Sequence, residues 1–191
     1  MNRNNIIKLL NKSPYKIYGA FAGCGQDFVY SFLNESGASN TIAGFNFPYS
    51  REAFNLFVGM EDANDIKYAS IHGANLLALN SINQFDSPNR YNIGIGVSAS
   101  LASDNEREGR THKIHVSIAN CDAPTESILM TQYSIEDIPQ ATYTRVGEDE
   151  MATEMIFKIL SVKLFNLPYG DEWLEELESL SKVTYNNTNS I

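Results

Sequence analysis

The sequence predicts a layered α/β domain with a mixed sheet, of the α/β/α kind. Helix and strand patterns alternate through the first half, strand patterns cluster in the second, and a strand, a glycine turn and a helix follow one another in YKIYGAFAGCGQDFVYSFL. In folds of this kind, ligands bind outside the carboxyl ends of the strands, and here the glycine turns fall at such ends. The 191 residues suffice for one domain with a full core. One domain is therefore expected over residues 1–181. The polar, aperiodic KVTYNNTNSI of 182–191 is expected to be a disordered tail.

Each element follows from its pattern. Ile6, Ile7, Leu9 and Leu10 share one face of a short helix that ends before Ser13-Pro14. YKIYGAFAG is a β-rich run, and the next segment is a helix with Phe28, Val29, Phe32 and Leu33 on one face and Gly37 as its stop. TIAGFNFPYS is a second strand closed by Pro48, and SREAFNLFVG a short helix with Ser50 as N-cap. Asp62 to about Phe85 carries apolar residues at helical spacing, interrupted by Gly73. YNIGIGVSAS, KIHVSIAN and SILMTQYSI are strands, the first two separated by the charged loop DNEREGRTH. Gly147 to Leu167 is the strongest helix pattern, with Glu148, Asp149 and Glu150 in its first turn, where the macrodipole favours them. DEWLEELESL reads as an acidic terminal helix.

The net charge of −9 disfavours nucleic-acid polymers and anionic membranes as partners, although a local nest of N–H groups can still hold a small anion. Cys24 and Cys121, the two cysteines, stand in unrelated contexts and suggest neither a disulfide framework nor a zinc site. The apolar run near the N-terminus is too short for a signal peptide or a membrane span, so a cytoplasmic protein is expected. No metal is expected either: His112 and His115 flank Lys113 in a strand, His72 lies mid-helix, and no zinc-hydrolase spacing occurs.

Several groups are candidates for a site. GAFAGCG, with Gly23, Cys24 and Gly25, has the context of an anion cradle but lacks both GxGxxG and GK[ST] spacing, and a tight packing turn explains it equally well. Ser39 qualifies as a nucleophile only with a base in reach, and none is local. Tyr49 suits a general acid, a ligand contact or a rim residue. The loop bearing Arg107 and Arg110 reads as a solvated surface or as a flap, and Arg145 as a phosphate clamp or a surface ion pair.

The order of these pieces resembles the CinA C-terminal domain family, whose active members deamidate nicotinamide mononucleotide. The matching segments are AGCG (Ala22 to Gly25), SGAS (Ser36 to Ser39), PYSREA (Pro48 to Ala53), FVG (Phe57 to Gly59), GVSASLAS (Gly96 to Ser103) and KIHVSIA. Together they span roughly residues 15 to 165. The resemblance implies that Ser39 matches a nucleophile and that Tyr49 and Ser50 lie beside it in one pocket, with Ser98 and Ser100 in the segment that replaces the family's TGIAGP. It also implies a homo-oligomer with sites near subunit contacts. The family lysine that follows the Tyr-Ser pair is Phe54 here, and the family arginine before the last long helix falls near Asp149 or Glu150, so Arg107, Arg110 or Arg145 would have to replace it. The expectation is a protein that binds a small nucleotide-like ligand, such as a nicotinamide nucleotide or an ADP-ribose-like molecule, with no cofactor. The alternatives are an amidohydrolase acting through Ser39 and a structural, partner-binding domain.

Overall fold

In a computed structural model, residues 2–61, 66–87, 89–104, 108–122, 127–140, 143–169 and 182–189 are described. Their elements are α1 (Arg3–Asn11), β1 (Lys16–Ala22), α2 (Gln26–Leu33), a 3-10 turn (Ala38–Asn40), β2 (Ile42–Asn46), α3 (Arg51–Val58), α4 (Ile71–Ile82), β3 (Asn92–Ser100), β4 (His112–Asp122), β5 (Ser127–Ile138), α5 (Arg145–Phe165) and β6 (Lys182–Asn189). The sheet has six strands in the order β2-β1-β3-β4-β5-β6. β1 is parallel to β2 and to β3, and the remaining pairs are antiparallel. This is the mixed sheet that the sequence predicts.

Two helical layers cover it. On one face Ile6 and Leu10 of α1, Phe28 and Phe32 of α2, and Met155, Ile156 and Phe157 of α5 pack on Ile17, Phe21, Ile93, Ile95, Val116 and Tyr133. On the other face Phe54 and Val58 of α3 and Leu77 of α4 pack on Ala20, while Ala78 and Ile82 of α4 meet Ala119 and Met130. The chain leaves β1 through α2 on the first face to reach β2, then returns through α3 and α4 on the second face to reach β3 on the other side of β1. The carboxyl ends of β1 and β3 therefore form a switch point, where the flanking connections diverge and leave a crevice.

Three expectations need correction. Ser70 caps α4 by accepting from the Gly73 N–H (3.1 Å), so the helix starts at Ile71 and not at Asp62. Residues 66–70 are instead a non-helical segment, and 62–65 lie outside the described residues. Gly73 does not weaken the helix but permits it: a Cβ there would lie 2.2 Å from the Tyr68 carbonyl oxygen. Residues 182–189, expected as a disordered tail, form β6, whose pairing with β5 needs only backbone groups. The acidic helix expected at DEWLEELESL lies outside the described residues, as does Arg107.

α4 is seated on β3 at backbone distance, with Ser81 Oγ donating to the Ile95 carbonyl (3.2 Å). A Cβ on Gly96 would stand 2.1 Å from the Ala74 carbonyl oxygen, and one on Gly94 would stand 2.3 Å from that of Ala78. The alternation Gly94, Gly96, Ser98 therefore fixes the height of the helix above the sheet.

Candidate functional site

The crevice at the switch point is a cleft of about 610 Å³, within the range of small-molecule sites. Its walls come from the ends of the three parallel strands: Gly23 after β1, Tyr49 and Ser50 after β2, and Ser98 to Leu101 at the end of β3. The segment ahead of α4 supplies Lys67 and Tyr68, and Phe54 of α3 joins them. Phe54 is 1% exposed and meets Tyr68 edge to face at 5.0 Å, so an aromatic ring stands where the family resemblance expects an amine.

Charge is distributed unevenly here. The described lining contains Arg51, Lys67, Arg110 and Arg145 and no Asp or Glu, in a chain whose net charge is −9. Arg145 bridges the ends of three strands: Nη1 donates to the Ala102 carbonyl (3.0 Å), and Nη2 to the Tyr49 hydroxyl (3.0 Å) and the Gly23 carbonyl (3.4 Å). Arg110 donates to Ser100 Oγ, and Arg51 lies over the Tyr68 ring at 5.4 Å. None of these contacts neutralises a guanidinium, so the described lining contributes a local positive field.

Two of the expected site groupings are not assembled. Ser39 sits in the exposed 3-10 turn before β2, whereas Tyr49 follows β2, so a strand of five residues, about 16 Å, separates them. Their hydroxyls do not face one pocket, and Ser39 is absent from the cleft. The glycine-turn cradle is occupied from within the chain. The N–H groups of Gly25, Gln26 (3.2 Å) and Asp27 (2.8 Å) all donate to the carboxylate of Asp149 on α5, which fills the place of an anion at the start of α2. Cys24 points into the core at 0% exposure, and burial, followed by the Asp149 charge, pushes its thiol well above the ordinary range. It is neither a ligand contact nor a nucleophile. Of the predicted turn, only Gly23 reaches the cleft, with φ of +103° and no space for a Cβ, which would stand 2.6 Å from the Ala99 carbonyl oxygen.

The other predicted residues, Tyr49, Ser50, Ser98, Ser100, Arg110 and Arg145, do meet at the cleft. Ser50 also caps α3, accepting from the Ala53 N–H (3.1 Å), and Ser98 donates to the Tyr68 carbonyl. Arg51 and Tyr68 were not singled out from sequence. The first looked like an ordinary first-turn helix residue, and the second lay inside the predicted long helix. Among the described residues no group of three or more His, Cys, Asp or Glu side chains is placed to hold a metal, and no helix is long and apolar enough to cross a membrane.

The same fold occurs in solved structures. The competence damage-inducible protein A (ComA) of Klebsiella pneumoniae superposes with a TM-score of 0.65 at 11% identity, covering 86% of this chain and 98% of that one. A competence-damaged protein (CinA) superfamily protein from Enterobacter cloacae gives 0.60 at 11% identity, with 84% and 95% covered. This chain has the CinA fold. The competence/damage inducible protein CihA of Agrobacterium tumefaciens adds a third example, with a TM-score of 0.59 at 14% identity over 80% of this chain and 89% of that one. No protein-family model and no curated protein matches the sequence. At such identities the likeness is one of fold, and the side chains of the cleft are this chain's own.

Beside the cleft, His115 is buried in β4 and shares a 2.8 Å hydrogen bond between Nδ1 and Ser134 Oγ. Burial, with the charges of Lys113 and Lys67, lowers its pKa to about 4. Between pH 6.5 and 4 the unfolded chain therefore binds the proton and the folded chain does not, so stability rises with pH across that window. Acidification from pH 6.5 to 4 is expected to remove about 2–3 kcal/mol through this residue. Urea midpoints measured across the window check it, and the His115→Gln variant should show a flatter profile.

Proposed function

We propose that the cleft binds a small phosphate-bearing, nucleotide-type ligand and does not hydrolyse it. The observation that carries this reading is the cluster of four cations with no carboxylate in the described lining. A guanidinium such as that of Arg145 suits a phosphate because its fork donates two parallel hydrogen bonds. Tyr49 and Tyr68 offer flat apolar surface for a base. The ligands to test first are a nicotinamide nucleotide and an ADP-ribose-like molecule.

Hydrolysis through Ser39 finds no support in this geometry. Ser39 lies at the opposite pole of β2, and the cleft position matched to the family lysine is filled by Phe54. The cleft hydroxyls of Ser98 and Ser100 are each engaged, with the Tyr68 carbonyl and with Arg110.

Titration calorimetry with nicotinamide mononucleotide and with ADP-ribose tests the proposal, with ammonia release followed in parallel. Binding without ammonia is expected, weakened about tenfold to a hundredfold by Arg145→Ala, the worth of one charged hydrogen-bonding group. Absence of binding to both ligands, with no small molecule retained by the purified protein, overturns it. Ammonia release that disappears in Ser39→Ala would establish the amidohydrolase instead.

A further inference from the structure

A second group of cations stands on the β4 side of the cleft. Ser98 pairs with His115 and Ser100 with Lys113 across β3 and β4, and paired residues project to the same face of a sheet. That face is the one under α4, since Ser98 donates to the Tyr68 carbonyl and Ser117 of β4 donates to Asn75 of α4 (2.8 Å). Lys113 and His115 therefore lie beside the cleft wall that holds Lys67, Ser100 and Arg110. Beneath them, His115 is 1% exposed and its Nε2 has no hydrogen-bond partner, with Glu136 Oε1 at 3.8 Å.

The electrostatics of this corner are unbalanced. Burial and then the neighbouring Lys67 ammonium pull the Lys113 pKa down, which means that two ammonium groups share a partly desolvated place. Arg110 adds a third positive charge acting on Lys113, and Glu136 is the carboxylate that offsets them. Among the described residues that act on Lys113, two further cations are set against one half-exposed carboxylate, a balance that favours the entry of an anion.

The Arg145 end lies where β2, β1 and β3 finish, and at the far corner Lys113 lies on β4, Arg110 just before β4 and Lys67 before α4. Gly23, held by Arg145 just after β1, and Lys113 of β4 belong to strands two positions apart in the sheet, about 10 Å, with Arg110 on Ser100 of β3 between them. That interval matches one mononucleotide laid across the cleft with its phosphate at one end and the far edge of its base at the other. We infer that Lys67, Lys113 and Arg110 form a second anion subsite, and that the preferred ligand is a mononucleotide whose base carries a carboxylate. This inference rests on the nucleotide-binding reading of the cleft and assigns its specificity.

Matched pairs of ligands test it. Nicotinic acid mononucleotide and nicotinamide mononucleotide differ in a carboxylate against a carboxamide, and orotidine and uridine 5′-monophosphates differ in a carboxylate against hydrogen. Calorimetry on the full chain is expected to give at least about tenfold tighter binding of the acid member in one pair or both. In the Lys67→Met and Lys113→Met variants, with folding checked by thermal melting, the ratio should fall toward one. The exposed Lys67 provides a variant that keeps the test informative if Lys113→Met does not fold. Equal affinity within both pairs overturns the subsite while leaving nucleotide binding intact, as does a preference that survives Lys67→Met. Absence of binding to all four nucleotides overturns both readings.

Discussion

Replacing Asp149 by alanine is expected to destabilise the protein by about 3 kcal/mol, because three backbone N–H groups at the start of α2 lose their acceptor together. The carboxylate comes from α5, so the bond set ties the β1–α2 turn to a helix more than a hundred residues away in sequence. The loss should be partly reversed by sulfate or phosphate, since the vacated N–H groups are then a free anion cradle. Thermal melts of the wild type and of Asp149→Ala, with and without added sulfate at fixed ionic strength, measure both effects. A variant as stable as the wild type would mean that the turn holds itself. Equal sulfate responses in the two proteins would mean that no cradle opens.

The second large effect is expected at Glu148, whose side chain is 0% exposed. Its Oε2 accepts from the Ala102 N–H (2.6 Å) and its Oε1 from His112 Nδ1 (2.6 Å), so one carboxylate joins α5, the turn after β3 and the first residue of β4. Glu148→Ala leaves the buried His112 ring and the half-buried Ala102 N–H without this acceptor and removes side-chain volume, for an expected loss of about 4 kcal/mol. Because Ala102 also accepts from Arg145, the same substitution should loosen the Arg145 end of the cleft. Denaturant unfolding checks the first effect, and nucleotide affinity measured in the folded fraction checks the second. A loss below about 1 kcal/mol would show that water replaces the carboxylate.

The sheet was legible because its residues obey a local rule. Ile114, Val116 and Ile118 alternate and do face the core, and Ser50 does cap its helix. The errors came where a local pattern competed with a distant partner. Residues 62–70 carry apolar side chains at helical spacing, yet the Ser70 cap starts the helix at Ile71. The last strand is polar because pairing at a sheet edge uses the backbone, which composition does not report. At the site, Arg110, Arg145 and Tyr49 were found because charged and amphipathic residues near strand ends are visible in sequence. The Ser39–Tyr49 pairing failed because the strand between them has length and therefore two ends. The role of Asp149 could not be read at all, since its three donors lie 122 to 124 positions away.

The seat of α4 on Gly94 and Gly96 bears on how this protein can diversify. Backbone against backbone sets the height of the helix, and the turn before it, with Lys67 and Tyr68, is held to that seat through the Tyr68 carbonyl, which accepts from Ser98 and lies against Gly73. The exposed Lys67 on that turn can then be exchanged while the seat stays unchanged. On the nucleotide-binding proposal, a change of ligand preference through that turn would leave those two glycines, and the helix they seat, untouched.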